Sequence, residues 1–173
     1  MIRWSSSRRQ LLRALGRLGL LSAASVWGRS ATAQVAPPSR ERVVWPEVTL
    51  LDGSRFGPAQ AQGQHVIVVF WATFCPFCQR HNAHMEKLRQ ATVGRPIRIL
   101  TVAQDRNAQA VRDYLKRNRY GFDVTLDHAP MLAAFAAKRV IPLTYVVAPD
   151  GRVLQTIPGE MFEEDVMEWK NLG

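Results

Sequence analysis

Two cysteines, Cys75 and Cys78, are the only ones in the chain, and Pro76-Phe77 separates them. They follow an apolar run, Val66 to Trp71, that has the look of a buried strand. A strand that delivers a Cys-x-x-Cys to a helix start is suited to a reversible dithiol/disulfide couple. The first sulfur then faces unpaired backbone amides at the positive end of the helix dipole, which favours its thiolate. Thiolates in such motifs have pKa values of about 3.5–7.5, against about 8.5 for a free thiol. The competing reading is an inert structural bridge. The loop that Cys-x-x-Cys closes is very short, so it gains little chain-entropy stabilisation, and chemistry is favoured over stapling. Helix starts expose the first cysteine and bury the second. Cys75 is therefore expected to attack, and Cys78 to resolve the resulting mixed disulfide.

His81 and His84 extend the pair into a Cys-x-x-Cys-x-x-His-x-x-His string that superficially suggests zinc. On a helix each step of three advances about 300°, so the four side chains spiral instead of converging. No metal and no cofactor is expected. Haem attachment is excluded because Gln79 stands where the histidine of that motif is required. His81, one turn past Cys78, is a candidate for proton transfer to that thiol; the alternative is a solvated helix residue. Trp71, Phe74 and Phe77 divide between core and rim, and Phe77 must lie in the loop between the sulfurs.

These residues need elements to position them. Val66 to Trp71 lacks polar alternation, as a central strand covered on both faces would. A helix is expected from about Cys75 toward Thr92, and a second strand over Ile97 to Val102. Asn107 should cap a helix carrying Ala110, Val111, Tyr114 and Leu115 that ends before Gly121. Asp127 or His128, just ahead of Pro130, fits another helix start, continued from Met131 to Ala137. Leu143 to Ala148, the turn Pro149-Asp150-Gly151 and Val153 to Ile157 read as a hairpin. Phe162, Val166 and Trp169 fall at i, i+4 and i+7 of a last helix, with Glu163, Glu164 and Asp165 in its first turns. Upstream, Val43 to Leu51 reads as extended, followed by a turn at Asp52-Gly53. Together these indicate an α/β fold: a mixed sheet with helices on both sides.

The N-terminus reads as a targeting segment. Ser7-Arg8-Arg9-Gln10-Leu11-Leu12-Arg13 precedes a modest apolar stretch, Leu18 to Trp27, and then Ala31-Thr32-Ala33. This order is that of a cleaved export signal of twin-arginine type over residues 1–33. The apolar stretch is too short for a bilayer, which needs about 20 residues. A polar linker over 34–42 would join it to one domain over 43–173. The chain has 23 basic and 14 acidic residues, and six of the basic ones lie within 1–33. The remainder is close to balanced, at +3. The high pI therefore belongs to targeting and gives no reason to invoke nucleic acid. The run Arg112, Lys116, Arg117 and Arg119 reads as a solvated helix face.

Phe70-Trp71-Ala72-Thr73-Phe74-Cys75-Pro76-Phe77-Cys78 resembles the Phe-Trp-Ala-x-Trp-Cys-x-x-Cys signature of thioredoxin-like proteins. It is most similar to the exported TlpA-like thiol-disulfide oxidoreductases, which include cytochrome c maturation reductants. Val140-Ile141-Pro142-Leu143-Thr144, followed by an apolar strand and Pro149-Asp150-Gly151, resembles that family's cis-proline segment and hairpin. The likeness runs from about Trp45 to Leu172.

It implies a three-layer α/β/α thioredoxin-like fold, a redox-active Cys75–Cys78 disulfide and a cis Pro142. The alternative for Pro142 is an ordinary strand-start proline. A cis Pro142 would set the Ile141 backbone beside the disulfide, where an extended substrate could pair with it as an added strand. Ile141, Pro142, Phe77 and Trp71 are thus the expected substrate contacts.

Three positions depart from the pattern. Val69 replaces the buried acid of cytosolic thioredoxins. His81 stands where several exported reductants have Glu. Pro-Phe is neither thioredoxin's Gly-Pro nor the Pro-His of strong oxidants, so the dipeptide leaves the direction of electron flow open.

The leading expectation is an exported, periplasmic disulfide reductase. It would act as a monomer on protein disulfides or apocytochrome thiols, recharged by a membrane thiol donor. The alternatives are a dithiol oxidase of the same fold, a copper-binding chaperone of this fold, or a non-catalytic interaction domain. The copper chaperones usually have three residues between their cysteines and a distant histidine. Only His128 could serve here, and its spacing is wrong.

Overall fold

A computed structural model describes residues 42–172. The expected export signal and all of the linker except Arg42 lie outside the described residues. In chain order, β1 (Val48–Thr49) and β2 (Arg55–Phe56) form a small antiparallel ribbon, and α1 (Pro58–Ala61) is one turn. Then come β3 (His65–Trp71), α2 (Pro76–Ala91), β4 (Ile97–Ala103), α3 (Ala108–Asn118) and β5 (Asp123–Thr125). The chain finishes with α4 (His128–Ala134), β6 (Leu143–Val147), β7 (Val153–Pro158) and α5 (Glu163–Glu168), which runs into a short 3-10 turn over Trp169–Asn171.

The sheet order is β5-β4-β3-β6-β7. β3, β4 and β5 are parallel, while β6 and β7 run antiparallel as the expected hairpin. β3 is central, and its alternation explains its unbroken apolarity. Ile67, Val69 and Trp71 pack with Met85 and Leu88 of α2, Tyr114 of α3 and Val166 of α5. Val66, Val68 and Phe70 pack on the other face with Met131 and Phe135 around α4 and with Phe56. Two cores share one strand, so neither face could tolerate a charge. This is the three-layer α/β/α arrangement.

The helix signals mostly hold. Asn107 caps α3, its Oδ1 accepting from the Gln109 and Ala110 amides at 2.9 and 3.3 Å. Three expectations change. The helix expected through Ala137 ends at Ala134, and just beyond it Ala136 takes a left-handed φ of 43° that breaks the helical path. The stretch expected to be extended over Val43 to Leu51 is a strand only at Val48–Thr49. Phe162 is the N-cap of α5 and is 79 % exposed, so only Val166 and Trp169 of its expected stripe reach the core.

α2 is tied to the segment that enters α5 by four polar contacts along one face. Arg80 forks Glu160 at 2.7 and 2.5 Å, and Lys87 meets Glu163 at 2.6 Å. Between them, His81 Nδ1 accepts from the Met161 amide at 3.4 Å, and His84 Nδ1 lies 3.1 Å from the Met161 carbonyl oxygen. Further along α2, burial pushes the Glu86 carboxyl up, but hydrogen bonds from Arg89, the Gly121 amide and Gln90 outweigh it and hold it low.

Candidate active site

The end of β3 delivers Cys75 as the N-cap of α2, with Pro76 at the first helical position, where a missing amide costs nothing. Cys75 and Cys78 form a disulfide with 5.2 Å between their Cα atoms. Cys78 has no exposed surface and Cys75 retains 8 %, so the outer sulfur is the first one. The Cys78 amide donates to Cys75 Sγ at 3.2 Å, the helix-start donor that a thiolate there would use. On the other side, the Ile141 carbonyl oxygen lies 4.0 Å from Cys75 Sγ. The Ile141–Pro142 peptide is cis, and the ordinary strand-start proline is set aside.

The loop ahead of Cys75 is clamped. Asp105, just past β4, accepts from the Thr73 amide at 3.0 Å and from the Thr73 hydroxyl. Gln79 Nε2 donates to the Thr73 carbonyl at 3.2 Å, and the Cys75 amide to Ala72 at 3.2 Å. Sequence reading missed Asp105, which carries no motif of its own. Its one signal was its place just beyond the parallel strand next to β3, where α/β sites assemble.

Around the sulfurs the rim is apolar and open. Phe74 is 73 % exposed, Phe77 58 % and Val140 37 %. The Arg80 guanidinium covers the Phe77 ring at 5.1 Å. Trp71 is corrected: it was expected to contact substrate, but it is fully buried, its ring 5.0 Å from that of Tyr114. It supports the site from below. Phe74 takes the rim position.

His81 is also partly corrected. It is not a solvated helix residue but wholly buried. Because its Nδ1 accepts from the Met161 amide, the proton sits on Nε2 and is donated to Thr144 Oγ1 at 3.0 Å. Burial, and then His84, push its pKa down to about 4, against an opposing pull from Glu160. At neutral pH the ring is uncharged. Thr144 pairs across the sheet with Val69, so a buried polar pair lies beside the position where cytosolic thioredoxins keep an acid.

His84 turns toward Met161, away from any shared site with the sulfurs, and His128 Nδ1 lies 3.1 Å from its own Leu126 carbonyl oxygen. Among the described residues, no group of three or more His, Cys, Asp or Glu side chains gathers as a metal site.

A disulfide at a helix mouth, opposite a cis-proline on a mixed five-stranded sheet, defines a thiol-disulfide oxidoreductase of the thioredoxin fold. Residues 39–171 match the Redoxin family, and the chain belongs to it as one of the TlpA-like thiol-disulfide oxidoreductases. It is 25 % identical over 122 residues to the thiol-disulfide oxidoreductase ResA of Bacillus thuringiensis subsp. konkukian, covering 70 % of each chain. Against the sporulation thiol-disulfide oxidoreductase A of Bacillus subtilis it is 27 % identical over 111 residues, 62 % of this chain and 67 % of that one. The fold matches the crystal structure of StoA from Bacillus subtilis with a TM-score of 0.64 at 22 % identity, over 78 % of this chain and all of that one. A thiol:disulfide interchange protein from Chlorobium tepidum gives 0.70 at 22 % identity, over 78 % and 99 %.

Proposed function

We propose that this oxidoreductase works in the reducing direction on disulfides of exported proteins, with Cys75 as nucleophile and Cys78 as resolving thiol. In the reduced protein the Cys75 thiolate attacks one sulfur of a substrate disulfide. A Cys75–substrate bond forms as the substrate bond breaks, and the other substrate sulfur leaves as a thiolate. Cys78, deprotonated, then attacks Cys75 Sγ. The Cys75–Cys78 bond re-forms, the second substrate thiolate leaves, and two electrons have passed to the substrate.

The observation that carries the direction is the sparse hydrogen bonding to Cys75 Sγ. Strong oxidants owe their potential to a heavily stabilised reduced form. Among the described residues, Cys75 Sγ has one hydrogen-bond donor, the Cys78 amide, and it faces a carbonyl oxygen, which opposes an anion. His81 is neutral and engaged with Thr144, and Arg80 is engaged with Glu160. The thiolate is favoured enough to react but not enough to make the disulfide a strong oxidant.

Ile141 and Pro142, with Phe77 on the rim, offer the contact surface for an extended substrate. His81, one turn past Cys78 and bonded to Thr144, is the candidate to govern proton movement at this end of α2. A bacterial periplasmic location, reached through the twin-arginine segment, supplies disulfide-bearing clients and calls for a membrane thiol donor. On this reading the mature N-terminus is Gln34, which N-terminal sequencing of the exported protein checks.

Trapping tests the roles of the two sulfurs. Cys78→Ala, reduced and mixed with a disulfide client such as insulin, is expected to accumulate a mixed disulfide through Cys75. Cys75→Ala should be inert, and the reverse pattern overturns the assignment.

A further inference from the structure

Three cations without a counter-ion among the described residues, Lys138, Arg139 and Arg106, adjoin in sequence the segments that meet at the disulfide. Lys138 and Arg139 lead into Val140 and then Ile141, whose carbonyl oxygen is 4.0 Å from Cys75 Sγ. Arg106 follows Asp105, whose carboxylate holds Thr73, two residues before Cys75. All three are exposed, and among the described residues none of them pairs with a carboxylate. Two carboxylates near the site are already taken. Asp105 is spent on the Thr73 amide and hydroxyl, and Glu160 on Arg80. The segments that meet at the sulfurs thus expose apolar side chains at Phe74, Phe77 and Val140, and next to them in sequence the unpaired cations Lys138, Arg139 and Arg106.

We propose that this face selects polypeptide clients whose reacting cysteine is flanked by acidic side chains next to an apolar one. This rests on the oxidoreductase reading above and adds the class of client to it. The apolar side chain of the client lies against Phe74 and Phe77, while its carboxylates meet Lys138, Arg139 and Arg106. Exposed charges of this kind act mainly on encounter, and salt screens them. The preference is thus one of rate, strongest at low ionic strength.

Three synthetic disulfide peptides test it, identical except for two residues beside the reacting cysteine: Glu, Gln or Lys. The readout is the rate at which each is captured on Cys75 of the full chain carrying Cys78→Ala. At about 20 mM salt the Glu peptide is expected to exceed the Gln peptide about fivefold, with the Lys peptide slowest, and at about 500 mM the three should converge. Adding K138Q with R139Q is expected to bring the Glu-to-Gln ratio close to one, and R106Q alone to lower it in part. Each ratio is taken within one protein, so a general loss of reactivity does not mimic the effect. Equal rates for the Glu and Lys peptides at low salt overturn the proposal, and so does a preference that survives both high salt and the double substitution. Capture without charge preference sinks the selection alone. Failure to capture any peptide sinks the thiol-exchange reading, and this proposal with it.

Discussion

A histidine ring closed off from water stays neutral unless a partner compensates the charge, and His81 has none that does. Both of its nitrogens are committed, one accepting from Met161 and the other donating to Thr144. Its pKa is near 4 in the fold, against 6.5 for the ordinary side chain. The unfolded chain therefore takes up a proton at a pH where the folded protein does not. The stability from this site is complete above about pH 6.5 and drains away as pH falls toward 4. Between pH 7 and pH 5 the loss should be of the order of 2 kcal/mol. Urea unfolding of the wild type against His81→Gln checks this. The variant should show a flatter acid limb, and an identical pH dependence in both would leave the burial argument without support.

His81 also marks a limit of sequence reading at this scale. A polar residue on a helix reads as solvated. Yet Cys78, His81, Met85 and Leu88 are all buried on α2, and their steps of three, four and three place them on one face. That stripe was legible. What could not be read was the partner, because Thr144 and the Met161 amide come from distant segments.

At the scale of elements, the strongest sequence signals were those with a local cause. Asn107 capped α3 as expected because a side-chain oxygen can satisfy orphan amides two and three residues on, whatever the rest of the chain does. Asn107→Ala is accordingly expected to cost about 1 kcal/mol, read as a lower denaturant midpoint with an unchanged slope. The slope matters, because a changed one would mean that more than a cap had been lost. Elements without a local cause went unseen. β5 is three residues long and exists because β4 offers an open parallel edge, and α1 is a single turn between β2 and β3. Phe162 was misplaced for a related reason. Its spacing fitted the stripe of α5, but it precedes the first helical residue, so it points off the core-facing row.

At the scale of the molecule, the central strand, the Cys-x-x-Cys at a helix mouth, the late hairpin and the cis-proline segment together identify the architecture. Each is tied to residue types with few alternative uses. The finer distinction between rim and core was not readable. Trp71 and Phe74 sit three residues apart on the same approach to Cys75, but Trp71 ends the central strand and packs against Tyr114 and Phe122, whereas Phe74 lies past the strand and is exposed. Direction of electron flow is likewise a property of the assembled environment, with one amide donor and a facing carbonyl at Cys75.

The reducing role stands on the ease with which the Cys75–Cys78 bond gives up and regains two electrons, and its equilibrium potential against glutathione or dithiothreitol measures that directly. A value toward about −270 mV is expected of a reductant with so lightly stabilised a thiolate. A value near about −120 mV would place the protein among the dithiol oxidases and contradict the proposed direction.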